Sequence, residues 1–415
     1  MIEIIDKYKC CGCSACASAC PKQCISMLAD EEGFLYPRVE QSSCIDCGLC
    51  ERVCPFHAET TTEKKPLIAY AAKNPDETTR NTSSSGGLFT LFAEKTIEEC
   101  GVVFGAQFNS EWDVIHGKAL TKEELYKFRG SKYVQSAIGN TYEEAKEYLK
   151  QGRKVLFSGT SCQIMGLKRF LGKEYENLLT IDVICHGVPS PKVWKDYLNE
   201  VIKVARKVNK NQFRSLFTSI IPETDASIQR DLVGISFRDK TYGWRKNSFA
   251  LSFAEAKAEG NKNQFRFIIQ NDSKSKYFTA FNSCLTLRQS CSNCPAKGGR
   301  CGSDITLADF WGIEKVLPEF SDDKGVSLCL CNSERGVEAY KNLRAKECEV
   351  SFDEAISKNP SWRFSHALHP KRNAFFKFFA RDGKVFSNID KCLQPPFLNR
   401  YTRTLKTVVK SLIRK

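Results

Sequence analysis

Long apolar runs are missing from this sequence. No stretch approaches the ~20 consecutive apolar residues that a membrane-spanning helix needs, which excludes an integral membrane protein among these 415 residues. A basic segment followed by a short apolar one, the pattern of a secretory signal, is also absent ahead of the first cysteines. We therefore expect a cytoplasmic, reduced protein whose 21 cysteines are not a disulfide framework.

Common nucleotide and nucleic-acid signatures are absent as well. Neither G-x-G-x-x-G nor G-x-x-x-x-G-K-S/T occurs, so no dinucleotide Rossmann site and no P-loop is indicated. The formal charge of +14 comes from Lys and Arg that are scattered among Asp and Glu. We expect no nucleic-acid partner, and we interpret the basic surface as solvated or as a docking face for an acidic redox partner.

Cysteine is what the sequence has in abundance, and its spacing is informative. The stretch "CCGCSACASACP" contains C-x2-C-x2-C-x3-C followed by Pro21, and the same pattern returns before Pro55. Structural zinc would need only pairs of C-x2-C knuckles. The repeated run is instead typical of bacterial ferredoxins with two 4Fe-4S clusters.

In such a run three thiolates hold one cluster and the fourth reaches the other cluster. The first predicted ligand set is Cys10, Cys13, Cys16 and Cys54, and the second is Cys44, Cys47, Cys50 and Cys20. Cys11 and Cys24 fall outside the pattern, and we interpret them as small buried fillers. A module this short has little apolar core, so we expect its folding to depend on the metal.

The pattern of strands and helices predicts an α+β ferredoxin module followed by an α/β region. Strand and helix patterns alternate from Leu67 to about residue 207, which favours a mixed α/β domain with a largely parallel sheet. From about residue 233 the chain is rich in strands, which predicts antiparallel additions to that sheet. The expected divisions are a ferredoxin-like domain, a linker, two α/β regions and a C-terminal α/β extension, at residues 1–57, 58–66, 67–150, 151–315 and 316–415.

Ligands bind at strand ends in open α/β sheets, so the loops there are candidate sites. "TSSSGGLFT", residues 82–90, precedes a helix and can offer backbone N–H groups to a phosphate, although a plain serine cap is an equal alternative. "FRGSKYVQS", residues 128–136, offers charged and ring side chains that a surface loop explains equally well. Cys162 starts a helix after a buried strand, and Cys185 follows the next strand.

A right-handed crossover can bring the strands before Cys162 and Cys185 together. The knuckle formed by Cys291 and Cys294 would then complete a third site with four cysteines, for which zinc is the alternative and Cys284 and Cys301 are reserves. A nucleophilic pair of Cys185 with the adjacent His186 is disfavoured, because neighbouring residues of a strand face opposite ways.

Six segments, spread in order over residues 67–315, resemble the coenzyme F(420) hydrogenase/dehydrogenase beta-subunit family. They are "SSSGGLFT", "GSKYVQS", "GTSCQIMGLKRFL", "CHGVPSPKVW", "FRDKTYGW" and "SCSNCPAKGGRCGSDITLADFWGI". The resemblance implies FAD contacts and third-cluster ligands. The FAD contacts are Ser85, Gly86, Gly87, Ser131, Lys132, Tyr133, Gly159 and Thr160, and the ligands are Cys162, Cys185, Cys291 and Cys294. Two positions depart from the family pattern: Ser161 stands where proline is usual, and Ala308 stands where glycine is frequent.

This resemblance implies an iron-sulfur flavoprotein oxidoreductase with two 4Fe-4S clusters in the N-terminal domain, a third cluster and FAD. It would transfer electrons between a reduced deazaflavin-type donor or small substrate and a redox partner protein, which is ferredoxin-like or part of a larger complex, with polysaccharide biosynthesis as one setting. The alternatives are an iron-sulfur carrier protein without flavin and a thiol enzyme that acts on a polysaccharide precursor through Cys162. The resemblance assigns no catalytic residue.

The C-terminal "RTLKTVVKSLIRK" places apolar residues on one helical face with Lys and Arg around it. This pattern predicts either an interfacial helix on anionic lipid, on the inner face of the membrane, or a helix packed on the body of the protein.

Overall fold

The computed structural model describes most of the chain, and all structural statements below concern these residues. They are 1–57, 62–207, 230–246, 248–255, 263–270 and 275–393. The predicted lipid-binding tail and part of the predicted linker lie outside them. Across the described ranges, no helix combines the length and the apolar character that crossing a bilayer requires.

The N-terminal segment is built around its two cysteine runs. It contains helices α1 (Ala15–Ser18) and α2 (Leu49–Arg52) and an antiparallel hairpin of β1 (Ile25–Ala29) and β2 (Leu35–Val39). The residues before the two helices, Ser14 and Gly48, both adopt left-handed backbone conformations, with φ of 62° and 70°. Each run thus wraps around its cluster position with the same local geometry.

One eight-stranded sheet forms the core of the body. Its order is β13-β3-β12-β11-β7-β6-β4-β5. The four central strands β11, β7, β6 and β4 pair in parallel, and the outer strands pair antiparallel. The strand bounds are β3 Ile68–Lys73, β4 Val102–Phe108, β5 Val114–Ala119, β6 Val155–Thr160, β7 Leu178–Val183, β11 Ile305–Asp309, β12 Ser327–Cys331 and β13 Lys346–Val350.

The sheet is therefore mixed rather than largely parallel, because three of its seven neighbouring strand pairs are parallel and four are antiparallel. The parallel centre agrees with the alternation of strands and helices in the sequence, and its strands are apolar on both faces. Val102, Val103 and Phe104 of β4 and Leu156 and Phe157 of β6 are all completely buried. Continuous apolar runs of this kind are typical of parallel strands that are covered on both sides.

Helices cover the sheet and connect its strands. Their bounds are α3 Glu77–Thr82, α4 Leu88–Glu98, α5 Thr141–Lys150, α6 Ser161–Leu171, α7 Pro191–Lys207, α8 Lys276–Asn282, α9 Ile313–Val316, α10 Glu334–Lys341, α11 Phe352–Ile356, α12 Arg372–Asp382 and α13 Val385–Leu393. Short 3-10 turns occur at Lys7–Lys9, Gln41–Ser43, Pro55–His57, Glu123–Phe128, Gln289–Asn293, Pro318–Phe320 and Pro360–Trp362.

The strand-rich segment does not extend the large sheet, so that expectation is wrong. Strands β8 (Arg230–Asp239), β9 (Ser248–Glu255) and β10 (Asn263–Gln270) form a separate antiparallel sheet in the order β10-β9-β8. The antiparallel additions to the large sheet come instead from β3 and β5 and from the C-terminal strands β12 and β13. Hydrogen bonds of β3 to β12 and of β4 to β6 join all three predicted segments after residue 67 in one sheet.

The N-terminal segment packs tightly on the body. Phe34 and Tyr36 of the ferredoxin segment belong to the same buried cluster as Trp194 of α7 and Leu287. The Arg372 guanidinium of α12 forms a buried ion pair with Glu32, with Nη1 2.9 Å from Oε1. This seam fixes the cysteine runs against the edge of the body that contains α6.

Candidate iron-sulfur and cofactor-binding site

The eight predicted ferredoxin ligands line two separate cavities. Cys10, Cys13, Cys16 and Cys54 surround one, which we call the first cluster site. Cys20, Cys44, Cys47 and Cys50 surround the other, the second cluster site. This partition follows the interleaving expected of the two runs, because the fourth cysteine of each run reaches the cavity of the other.

These two sites suit cubane clusters in their donor atoms and in their shape. Each offers four thiols around a cavity, and each thiolate of a cubane binds a different iron, so the ligands surround a volume rather than a point. Accordingly, the described part of the chain has no three Cys, His, Asp or Glu side chains that converge on a single metal ion.

The two cysteines interpreted as fillers lie at these sites. Cys24 lines the second cluster site, with its Sγ 3.4 Å from the Sγ of Cys20. Cys11 lines the first cluster site, and its thiol is within hydrogen-bonding reach of the thiols of Cys13 and Cys162. Cys11 therefore joins the ferredoxin segment to the body, a contact between distant positions of the chain that the spacing pattern does not contain.

Four cysteines of the body form the third cysteine set: Cys162, Cys185, Cys291 and Cys294. Strands β6 and β7 are parallel neighbours, with Thr160 paired to Val183, which confirms the predicted crossover. Cys162 then lies in the first turn of α6, and Cys185 lies two residues after β7.

The knuckle lies against these strand ends. The backbone N–H of Val188 donates to the Sγ of Cys291 at 3.4 Å. Burial, followed by the charge of Cys185, raises the pKa of Cys291. Burial and the charge of Cys162 raise the pKa of Cys294 to about 11. The four thiols thus lie within electrostatic range of one another, as ligands of one cluster must.

The two reserve cysteines have other partners. Cys301 is buried, and its thiol donates to the Asp182 carboxylate at 3.5 Å. The Sγ of Cys284 lies 3.3 Å from Nε2 of His186. His186 in turn packs on His366, with ring centroids 4.1 Å apart, so it faces away from its neighbour Cys185 in the chain. Sequence reasoning missed this group of two imidazoles and one thiol, because His366 lies outside every quoted motif.

Ser161, which replaces the usual proline, has a structural partner. Its hydroxyl donates to Asp182 at 2.6 Å, and the same buried carboxylate accepts from Ser303 and Thr306. Burial raises the pKa of Asp182, while these hydroxyl donors oppose the shift. The departure therefore adds a hydrogen bond that ties the start of α6 to β7 without removing a thiol.

A cavity of about 650 Å³ opens at the ends of the parallel strands, within the range of about 300–1,000 Å³ that is usual for cofactor sites. We call it the strand-tip cavity. Its lining includes Cys185 and seven of the eight residues implied as flavin contacts: Ser85, Gly87, Ser131, Lys132, Tyr133, Gly159 and Thr160. Cys185 of the third cysteine set and the predicted flavin loops therefore line the same cavity.

Gly86 is the one implied flavin contact that does not line this cavity. Its backbone N–H donates to the Ser327 hydroxyl at 3.0 Å, and a Cβ would lie 2.5 Å from the carbonyl oxygen of Ala72. Gly86 therefore packs between β3 and β12 behind the cavity wall. Its need for glycine comes from close backbone packing rather than from a ligand.

The serine-rich loop presents an uncapped helix start to the strand-tip cavity. Gly87 precedes α4 with φ 80°, and no side chain caps the first turn, so the serine-cap alternative is wrong. The backbone N–H of Ser131 donates to the Ser84 hydroxyl at 2.7 Å, which joins the two predicted loops. Free N–H groups at the positive end of an eleven-residue helix favour a phosphate.

Two buried titratable groups line the same cavity. Burial lowers the pKa of Lys132 to about 7, and the Nζ of Lys132 donates to the carbonyl of Gly130 at 3.1 Å. Burial also lowers the pKa of His116 to about 4, with its Nε2 3.0 Å from the carbonyl oxygen of Ser158. Near neutral pH His116 is therefore uncharged, whereas Lys132 changes charge.

Arg238 and Trp311 complete the opposite wall. The Nη1 of Arg238 donates to Asp309 at 2.6 Å, and its guanidinium carbon lies 5.1 Å from the ring centroid of Trp311. Both residues line the strand-tip cavity, as does Ala308. Arg238 lies in "FRDKTYGW", and Ala308 and Trp311 lie in "LADFWGI". Both segments carry the family resemblance, although it implied no site residue in either of them.

The fold and these sites define a protein with a two-cluster ferredoxin domain, followed by a mixed α/β domain with a ligand-sized cavity next to four further cysteines. Comparison with known proteins agrees. The family model for the 4Fe-4S dicluster domain matches residues 9–58, and the model for the C-terminal part of the coenzyme F(420) hydrogenase/dehydrogenase beta subunit matches residues 152–354. Residues 152–354 therefore belong to this beta-subunit family, and an N-terminal 4Fe-4S dicluster domain precedes them.

Individual relatives are distant. An uncharacterized protein of Methanocaldococcus jannaschii is 25% identical over 208 residues, and the match covers 42% of this chain and 56% of the relative. The chain thus spans little more than half the length of that relative. An uncharacterized ferredoxin of the same organism is 35% identical over 71 residues, which are 17% of this chain and 91% of the ferredoxin.

Among solved structures, a chain of the F(420)-reducing nickel-iron hydrogenase complex of Methanosarcina barkeri aligns with a TM-score of 0.40 and 14% identity. The alignment covers 79% of this chain and 92% of that chain.

Proposed function

We propose that this protein is an iron-sulfur flavoprotein oxidoreductase that carries electrons between a small-molecule reductant in the strand-tip cavity and a redox partner protein. The observation that carries the proposal is the shared wall of that cavity, which joins the implied flavin contacts to Cys185 of the third cysteine set. A flavin bound there would supply exchange between two-electron and one-electron chemistry.

The described residues provide the flavin with a binding mode. The N-terminus of α4 and the Ser84 to Ser131 contact would hold the pyrophosphate, for which the uncapped N–H groups are suitable donors. Lys132 would add a positive charge, and Tyr133 would contact the ring system. The neutral imidazole of His116 lies at the β6 wall, where it contacts Phe157 with ring centroids 5.5 Å apart.

The proposed electron path follows the sulfur contacts. From the cavity it passes to a cluster held by the third cysteine set, because Cys185 lines the cavity. It continues to the first cluster site, because Cys162 packs against the buried cluster that contains Cys11 and Cys13. It ends at the second cluster site, where Cys47 is exposed and Ile45 has 58% of its surface exposed, so a partner protein can approach.

Anaerobic reduction tests this function directly. The protein is reconstituted with iron and sulfide, divided into samples with and without FAD, and mixed with reduced coenzyme F(420), the donor that the family description indicates. We expect the cluster absorbance to bleach only in the sample with FAD. Reduced nicotinamide nucleotides are tested in parallel as alternative donors.

The outcomes separate the candidate functions. Failure of the reconstituted protein to bind FAD would support an electron carrier without flavin. Bound FAD that becomes reduced while the clusters remain oxidised would contradict the proposed path. The thiol-enzyme alternative has no support from contacts of Cys162, whose nearest described partners are the Thr160 hydroxyl at 3.3 Å and the Cys11 thiol.

A further inference from the structure

A completely buried arginine, Arg288, lies at the seam between the ferredoxin segment and the body. Its Nε donates to the carbonyl of Cys10 at 2.7 Å, and its Nη2 donates to the carbonyl of Leu35 at 2.9 Å. Its Nη1 donates to Oε1 of Gln135 at 3.1 Å. The guanidinium therefore holds the ferredoxin segment with two hydrogen bonds and is itself held by Gln135 of the body.

The charge of Arg288 has no carboxylate partner among the described residues. The two other guanidiniums that are buried as deeply each have one: Arg80 pairs with Asp322, and Arg372 pairs with Glu32. A buried charge without a counter-charge costs several kcal/mol. The rings of Tyr36 and Phe34, at 4.2 and 5.4 Å from the guanidinium carbon, offset part of that cost.

Cysteine sulfur supplies the negative charge near Arg288. Its Nη2 lies 3.5 Å from the Sγ of Cys10, a ligand of the first cluster site. The backbone carbonyl of Arg288 accepts a hydrogen bond from the N–H of Cys291 at 3.1 Å. Cys291 belongs to the third cysteine set, so the side chain of Arg288 contacts the first cluster site while its backbone contacts the knuckle on the other side of the seam.

Arg288 also shapes the loop of the first cluster site. A Cβ on Gly12, which has φ 67°, would lie 2.8 Å from Nη1 of Arg288 and 2.9 Å from Nε2 of Gln135. The same Gln135 amide donates to the carbonyl of Cys11 at 2.9 Å. The loop Cys10–Gly12 is therefore held by two side chains of the body, and only glycine fits at its centre.

We propose that Arg288 is the counter-charge of the first cluster and raises its reduction potential, and that its backbone joins this site to the knuckle of the third cysteine set. Its role toward the third cysteine set rests on the proposed function, whereas its role toward the first cluster rests on the dicluster domain alone. A fixed positive charge favours the reduced form of a cluster, which carries one more negative charge.

The test is a potentiometric titration of the full chain, reconstituted anaerobically and followed by electron paramagnetic resonance. In Arg288→Met and Arg288→Gln, we expect a more negative potential for the first cluster and a smaller shift for the second. Arg288→Lys keeps the charge but not the planar fork, and it should retain most of the wild-type potential.

A matched control separates loss of charge from loosening of the seam. The double variant Glu32→Gln with Arg372→Met removes the neighbouring ion pair without changing the net charge, and it should leave the potentials unchanged. Wild-type potentials in Arg288→Met with a full iron content would overturn the proposal.

Incomplete assembly is informative too. Iron loss in the Met and Gln variants but not in the Lys variant would support the counter-charge, and equal loss in all three would overturn it in favour of packing alone. If the wild type holds only about eight irons, the proposed third cluster is refuted. The reduction potential of the first cluster in the Arg288 variants still tests the role of Arg288.

Discussion

Gly166 of α6 packs directly against the first cluster site. It lies one helical turn after Cys162 and on the same face of the helix. A Cβ built on Gly166 would lie 2.9 Å from the Sγ and 3.0 Å from the Cβ of Cys13. The replacement Gly166→Ala therefore forces a ligand of the first cluster away from α6.

Two opposing contributions determine how much Gly166→Ala changes the free energy of unfolding. Alanine stabilises the interior of a helix by up to about 1 kcal/mol relative to glycine. Overpacking a tight contact typically costs about 1–3 kcal/mol. The Tyr142 hydroxyl, 3.2 Å from the same Cβ, donates to the carbonyl of Gln163 and does not yield easily. We expect a net destabilisation of about 1 kcal/mol, concentrated at Cys13.

The measurement combines denaturant unfolding of the reconstituted protein with iron analysis and the spectrum of the first cluster. Gly234→Ala in β8 is the control, since its Cβ would meet only the Ser252 side chain at 3.3 Å. The control should keep its full iron content. A Gly166→Ala protein that is more stable than wild type and has an unaltered first-cluster spectrum would refute this close packing.

Three further predictions concern the cavity and the tail. FAD affinity should fall above about pH 7, by a factor that approaches ten per pH unit, because Lys132 of the free protein loses its proton there while bound pyrophosphate favours the charged lysine. In a fluorescence titration between pH 6 and 9, Lys132→Met should bind FAD with an affinity that does not depend on pH. A pH dependence that persists in this variant would contradict the role of Lys132. Gly87→Val should lose FAD and keep its iron, because φ is 80° and a Cβ would lie 3.1 Å from that of Asn74; undiminished FAD binding would argue against the loop. Full-length protein should float with anionic liposomes better than a chain ending at Pro396, and equal flotation would exclude the tail as an anchor.

Local sequence patterns predicted the strands and helices of this fold better than they predicted which strands pair with one another. The run "VVFGAQF" is strand β4 as expected, and the crossover from β6 to β7 follows from alternating strands and helices. The pairing of β3 with β12 joins residues more than 250 positions apart, and nothing in the alternation of either strand specifies it. For the same reason β8 to β10 were predicted as strands but assigned to the wrong sheet.

In the candidate site, too, local features were predictable from the sequence and contacts between distant residues were not. The interleaved cysteine runs predicted the two ferredoxin cavities, because ligand spacing is a local property. The contact of Cys11 with Cys162 and the position of Arg288 depend on how the ferredoxin segment docks on the body. Gly86 and Gly87 are adjacent in the sequence, and only the packing of Gly86 on β12 shows that their roles differ.

The central claim is a third cluster beside a flavin, and its most direct test is the composition of the anaerobically reconstituted full chain. We predict about twelve irons and one FAD in the wild type, and about eight irons with FAD retained in Cys162→Ala and in Cys294→Ala. Cys348→Ala in strand β13, outside all three cysteine sets, should match the wild type. About eight irons in the wild type, unchanged in the Cys162 and Cys294 variants, would contradict the account.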